Sequence, residues 1–195
     1  MIDAEIPHWF IDSCGKIKYM FPKAHAAAYV ISAFRIAWYK VHMPVYFYAS
    51  WFSSKATDVD VKTMIKGKEA IKNKIIEIQS KGYDATNKEM GQLESLKIAL
   101  EATARGIVFA NIDLNNSEAT MWSVKDEKTI YPPFSSVEGL GDTVAEKIVE
   151  ERSKKPFHFI EDFAIRGKVN QTTMEVLRSF GVFEGMPESA QMSLF

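Results

Sequence analysis

The chain has 195 residues, 47% of them apolar, 12% aromatic and 25% charged: enough hydrophobic material for a packed core, too much for general disorder, and, at roughly 150 residues per domain, too little length for a self-contained multidomain machine. The net charge of −1 removes the simplest argument for a nucleic-acid binder, an overall excess of Lys and Arg, although the balance runs from +2 over residues 1–50 and +2 over 51–110 to −5 over 111–195. A single Cys14 excludes an internal disulfide, MIDAEIPHWF lacks a basic segment followed by an apolar run, and no uncharged apolar stretch reaches the ~18 residues that span a bilayer, so the expectation is a cytoplasmic protein without a membrane partner.

The first strong periodic segment runs from Lys23 to His42, where Val30, Phe34, Trp38 and Val41 recur at helical spacing. Pro22 suits its first turn and Pro44 forces its end. PVYFYASWF then starts a second, aromatic helix, whose rings are expected to bury against the first. A third helix is expected over about Val59 to Ser80, with Gly67 as a possible break, Gly82 as the stop, and a basic side of Lys62, Lys66, Lys68, Lys72, Lys74 and Lys81. That side reads first as a solvated face, and second as one that meets a duplex. A fourth helix spans about Asn87 to Arg105 and stops at Gly106. Beyond it, GIVFANIDL and ATMWSV are strand-like, and KDEK before KTIYPP reads as the turn of a small hairpin. From Pro133 the helical pattern returns in short units. The fold class is therefore mainly α with a small β hairpin (α+β).

VEGLGDTVAEKIVEER carries the signature of a helix-hairpin-helix: Gly139 and Gly141 flank Leu140, and a helix follows from about Thr143 to Arg152. Glycines there let the backbone turn with positive φ and approach a ligand closely, so that free N–H groups of the next helix meet a phosphate. A plain αα-turn closed by glycines is the competing reading, and the spacing of Val137, Leu140, Val144 and Ile148 favours the first. A second, degenerate pair follows in FIEDFAIRG and QTTMEVLRSFG, with Asn170 as N-cap and Gly181 as stop. Arg152, Lys154, Lys155, Arg166 and Lys168 give this region a local basic edge. Two such hairpins can straddle a duplex backbone without reading bases.

Lys23, His25 and Tyr29 cluster at the start of the first helix, a cation, a switchable donor and a flat ring, with alanines between them that allow close approach. A small-residue packing seam accounts for the same pattern equally well. The tail AQMSLF has no apolar partner in the local pattern, and so is frayed, packed on its own domain or offered to another protein. Cys14 and the isolated His8, His42 and His158 make no nucleophile or zinc signature, and no phosphate-binding Walker loop or GxSxG motif is present.

Taken in order, KIKYMFPKAHAAAYV, FRIAWYKVHMPVYFYASWF, MIKGKEAI, VEGLGDTVAEKIVEER and QMSLF resemble the C-terminal end of the PolC-type replicative DNA polymerase III alpha subunit. The resemblance covers nearly the whole chain. It implies that residues 1–105 are the last part of the fingers, 106–185 a tandem helix-hairpin-helix domain that binds duplex DNA, and 186–195 a sliding-clamp-binding tail. By that likeness Lys23 and His25 would touch the triphosphate of the incoming dNTP and Tyr29 its base or sugar. Gly139, Leu140, Gly141 and Thr143, with Arg166, Gly167 and Lys168, would meet the DNA. Gln191, Met192, Ser193, Leu194 and Phe195 would bind the clamp (the beta subunit), with Met192 in place of the usual leucine. Other replisome subunits are further expected partners. The palm carboxylates that hold two Mg²⁺ ions in this family are absent from the chain, so it is expected to bind no cofactor and to be inactive alone. A free-standing DNA-binding and clamp-recruiting module is the alternative.

Overall fold

The computed structural model describes residues 5–18 and 22–189. The chain divides into two compact units, Met1–Val41 and His42–Phe195. In the first lie α1 (His8–Lys16) and nearly all of α2 (Lys23–His42). The start and end of α2 agree with the proline signals, and Pro22 supplies the carbonyl that accepts from His25 N–H at 3.0 Å. Helix α1 has no counterpart in the sequence reading. Pro7 opens it, but none of its residues is buried, so it carries no core-facing periodicity to be read.

The second unit holds α3 (Pro44–Ser54), α4 (Val61–Met64), α5 (Lys68–Ser80), α6 (Asn87–Ala104), β1 (Val108–Phe109), β2 (Ser123–Val124), β3 (Thr129–Tyr131), α7 (Asp142–Lys154), α8 (Ile160–Gly167) and α9 (Gln171–Ser179). The expected third helix is two: Gly67, at φ +87°, breaks it, and Asp60 caps α4 by accepting from Thr63 N–H at 3.0 Å. Helix α6 opens on a capping box, with Thr86 and Glu89 each accepting from the other's backbone. The KDEK turn does join an antiparallel pair, β2 and β3, registered Ser123 to Tyr131 and Val124 to Ile130. Strand β1 adds in parallel on the other side of β3, with Val108 beside Thr129 and Phe109 beside Ile130. That parallel pairing brings together residues about twenty apart in sequence, which local alternation cannot indicate.

Two cores fill this unit. The first joins α3 to α6 and the sheet: Val45, Tyr48, Phe52, Met64, Ile71, Ile78, Leu96 and Ile130 are all buried. Phe52 meets Phe109 edge-on at 5.3 Å and Trp122 at 5.0 Å. Tyr48 and Phe52 of α3 bury in a core that begins at Val45, because Val45, Tyr48, Ala49 and Phe52 share the stripe that faces α6 and the sheet. The second core gathers Ile112, Leu114, Phe134, Val137, Leu140, Ile148, Phe163, Val169, Met174 and Leu177 beneath α7, α8 and α9.

Arg166 fastens α8 to the end of α7. Its guanidinium pairs with Glu151 at 3.3 Å and Asp162 at 3.0 Å, donates to the carbonyls of Glu151 and Lys155, and lies 4.6 Å from the centre of the Phe157 ring. The Glu151 carbonyl also accepts from Lys155 N–H at 3.1 Å, so Arg166 adds a second donor there, and the Lys155 carbonyl lies just past the end of α7. Arg152 does similar work nearby, donating to the carbonyls of Leu114 and Ser117 and so holding the 113–117 turn against α7. Glu151 sits at the centre of the cations, 16% exposed, with Lys154 at 2.9 Å and Lys147 at 3.0 Å. The hydrogen bonds from Lys154, then Lys147, with Arg166 behind them, hold its carboxyl down at about 2.

Replacing Arg166 by alanine removes a donor from the carbonyls of Glu151 and Lys155 and a cation from Glu151 and Asp162; urea denaturation is expected to give a loss of about 2 kcal/mol, and R166K to recover little of it because a point cation cannot reach all of these acceptors together. The depressed Glu151 carboxyl stabilises the fold fully above its ordinary value of 4.5, and that contribution disappears as pH falls toward about 2. Melting temperature measured from pH 6 down to pH 2 should accordingly decline less steeply for E151Q than for the native protein.

Candidate nucleic-acid interface

The two turns that enter α7 and α9 have the same backbone shape. Gly139 lies at φ +82° and Lys168 at φ +54°, both left-handed. Next comes a buried aliphatic side chain, Leu140 at 4% exposure and Val169 at 9%. The N-cap follows, Gly141 at φ −77°, ψ 162° and Asn170 at φ −75°, ψ 162°. Gly139-Leu140-Gly141 and Lys168-Val169-Asn170 are thus equivalent triplets at the entries to α7 and α9. A left-handed backbone is ordinary for glycine and uncommon for a residue with a Cβ, which is why the motif is plain in the first turn and concealed by Lys168 in the second.

Each turn presents the start of a helix. Among the described residues no protein acceptor takes the N–H groups of Asp142 and Thr143 in α7, or those of Gln171 and Thr172 in α9. Asn170 satisfies the next donor in α9, accepting from Thr173 N–H at 2.8 Å, whereas Gly141 offers α7 no side-chain cap. Unpaired N–H groups and the positive end of the helix dipole together favour an anion. Thr143 and Lys168 line one groove of about 310 Å³ with Lys147 and Gly167, so the structure brings a donor of the first hairpin beside the cation of the second. The approach depends on Gly167, where a Cβ would stand 3.0 Å from Ile148 Cγ1. Gly139, Leu140, Gly141 and Asp142 border a wider cleft of about 1070 Å³, facing Asp58, Lys62 and Lys88. Lys88 pairs with Glu138 across it at 3.1 Å.

Two of the expected contact residues have other duties in this geometry. The Leu140 side chain is in the second core, and Arg166 is occupied by α7 and Asp162. The expected basic edge is also largely neutralised: Arg152 meets Glu118 at 3.6 Å, and Lys154 pairs with Glu150 and Glu151. Among the described residues Lys155 and Lys168 form no ion pair. Thr173, which links the two turns, went unread, because a threonine inside a helix gives no sign of a distant carbonyl.

In α2, His25 and Tyr29 stack edge to face with centres 4.6 Å apart, and Lys23 is exposed one turn earlier. Tyr29 is 66% exposed, and α2 buries none of its residues. Gln191, Met192, Ser193, Leu194 and Phe195 lie outside the described residues. Among the described residues no group of three or more His, Cys, Asp or Glu is arranged to hold a metal ion, and no helix is long and apolar enough to cross a membrane.

Residues 106–192 match the family described as "Helix-hairpin-helix motif", which includes both turns. Along its length the chain is similar to proteins named DNA polymerase III PolC-type: 47% identical to that of Lactococcus lactis over the whole chain, and 49% identical to those of Halalkalibacterium halodurans and Caldanaerobacter subterraneus over 98% and 97% of it. The chain spans only 12–14% of the length of these relatives. By its sequence, and by the tandem hairpins that the structure displays, the chain belongs with the PolC-type DNA polymerase III family.

Proposed function

We propose that this chain is the part of a replicative DNA polymerase that grips the newly formed duplex, with a nucleotide-facing helix before the grip and a clamp-binding tail after it. The observation that carries the reading is the repeated turn, which sets four unpaired helical N–H groups and the exposed Lys168 on equivalent ends of one packed core. Such donors suit phosphodiester oxygens and carry no base information. The acidic excess of the C-terminal part does not decide the matter, because on this reading the grip is made by backbone amides at the helix starts and not by a surplus of basic side chains.

In α2, Lys23, His25 and Tyr29 are exposed near the start of the helix, a cation, a switchable donor and a flat ring whose chemistry suits a triphosphate and a base. Nucleotidyl transfer itself needs carboxylates that hold two metal ions. The described residues provide no such cluster, so no catalytic step is assigned to them, and on this reading the Mg²⁺ ligands belong to another part of the polymerase.

Fluorescence anisotropy on duplexes of unrelated sequence tests the grip. Dissociation constants of about 10–100 μM at physiological salt, alike for all sequences, with log K falling against log salt at a slope between about −2 and −4, are expected; a strong sequence preference, or a salt-independent affinity, would refute it. Removing Gln191–Phe195 is expected to abolish binding to a sliding clamp, measured by surface plasmon resonance, while leaving duplex affinity unchanged. The intact tail should bind about micromolar, because a free segment loses entropy on docking.

A further inference from the structure

One buried polar side chain bonds the two turns to each other. Thr173, the third residue of α9, is 2% exposed, and its hydroxyl donates to the carbonyl of Gly139 at 3.1 Å. Its own N–H is held by Asn170 in the second turn. One residue is therefore bonded to both turns at once: through its backbone to Lys168-Val169-Asn170, and through its side chain to Gly139-Leu140-Gly141. A Cβ built on Gly139 would meet Thr173 Oγ1 at 3.5 Å, in ordinary van der Waals contact, so the two turns are neighbours at this point.

We infer that Thr173 is the positioning residue of the duplex grip: by tying the Gly139 carbonyl to the start of α9 it holds the free N–H groups of Asp142 and Thr143 at a constant distance from those of Gln171 and Thr172, so that both hairpins engage one DNA backbone together. The inference rests on the proposed duplex grip. The apolar contacts of Leu140 and Val169 seat each turn in the core but leave rotation about it unspecified, because hydrophobic burial has no direction. A hydrogen bond to the carbonyl at the left-handed corner supplies the direction. Without the hydroxyl, that carbonyl has only water to accept from, the first turn relaxes independently, and DNA meets one well-aimed helix end rather than two.

The test measures duplex binding by T173V and T173S against salt. Valine keeps the shape and removes the donor; serine keeps the donor. For T173V, affinity is expected to fall about tenfold, with the log K against log salt slope shallower by about one, as one phosphate contact is lost; T173S should restore both. A simple loss of stability lowers the fraction of active protein and leaves the slope alone. A T173V slope equal to that of the native chain, or a T173S slope as shallow as that of T173V, would overturn the inference. If the native chain shows no salt-dependent duplex binding, the duplex reading itself fails, which is a different result. Should T173V not fold, amide exchange of the native protein replaces it: the amides of Asp142, Thr143, Gln171 and Thr172 are expected to gain protection at the same DNA concentration, and protection at one hairpin alone would contradict the coupling.

Discussion

A left-handed backbone corner directly before a buried aliphatic residue is the constraint on which the tandem hairpins of this chain depend. At Gly139 and Lys168 the chain reverses so sharply that the next side chain, Leu140 or Val169, drops into the core while the residue after it opens a helix. The aliphatic anchor makes the position of each helix start a matter of packing, which is rigid in protein interiors. Helix starts seated on a rigid core, and directed by a hydrogen bond such as that of Thr173, can act as preformed anion sites, whereas the same amides on a free loop would bond to water in many orientations.

This arrangement also resolves an apparent contradiction in the charges. Residues 111–195 carry a net −5, yet they contain the best candidate for a polyanion contact. The two arginines of α7 and α8 work inward. Arg152 and Arg166 donate to backbone carbonyls of the 113–117 turn and of the end of α7, and Glu151 gathers Lys147, Lys154 and Arg166 around one carboxylate. On the proposed reading, attraction for phosphate comes from peptide dipoles, whose partial charges do not appear in any count of Lys and Arg. Arginine suits the inward role because its planar fork can reach several acceptors, and Arg166 serves two carboxylates and the end of a helix together.

Much of the local structure was legible because its signals are local. Proline set both ends of α2, glycine stopped α6, Asn170 capped α9, and KDEK turned the β hairpin. The Gly-Leu-Gly triplet announced the first hairpin by composition alone. The second was seen as a helix pair, but its corner was hidden, since Lys168 adopts a conformation its residue type disfavours. Basic residues near a presumed ligand were read as contacts, and burial assigned Arg166 and Arg152 to holding helices and turns instead. Helix α1 escaped notice because it buries nothing, and the Gly67 break divided what periodicity joined.

By itself the sequence determined which segments could be helical, where their ends fall, and that one glycine-cornered turn precedes a helix, for these follow from φ restrictions, caps and periods that act within a few residues. Only the tertiary structure decided that β1 runs parallel to β3, that the aromatics of α3 join the first core, and that the two turns are equivalent and bonded through Thr173. Each of these is a contact between residues about twenty or more positions apart, and its strength comes from burial and directed hydrogen bonds that exist once the chain has closed those loops.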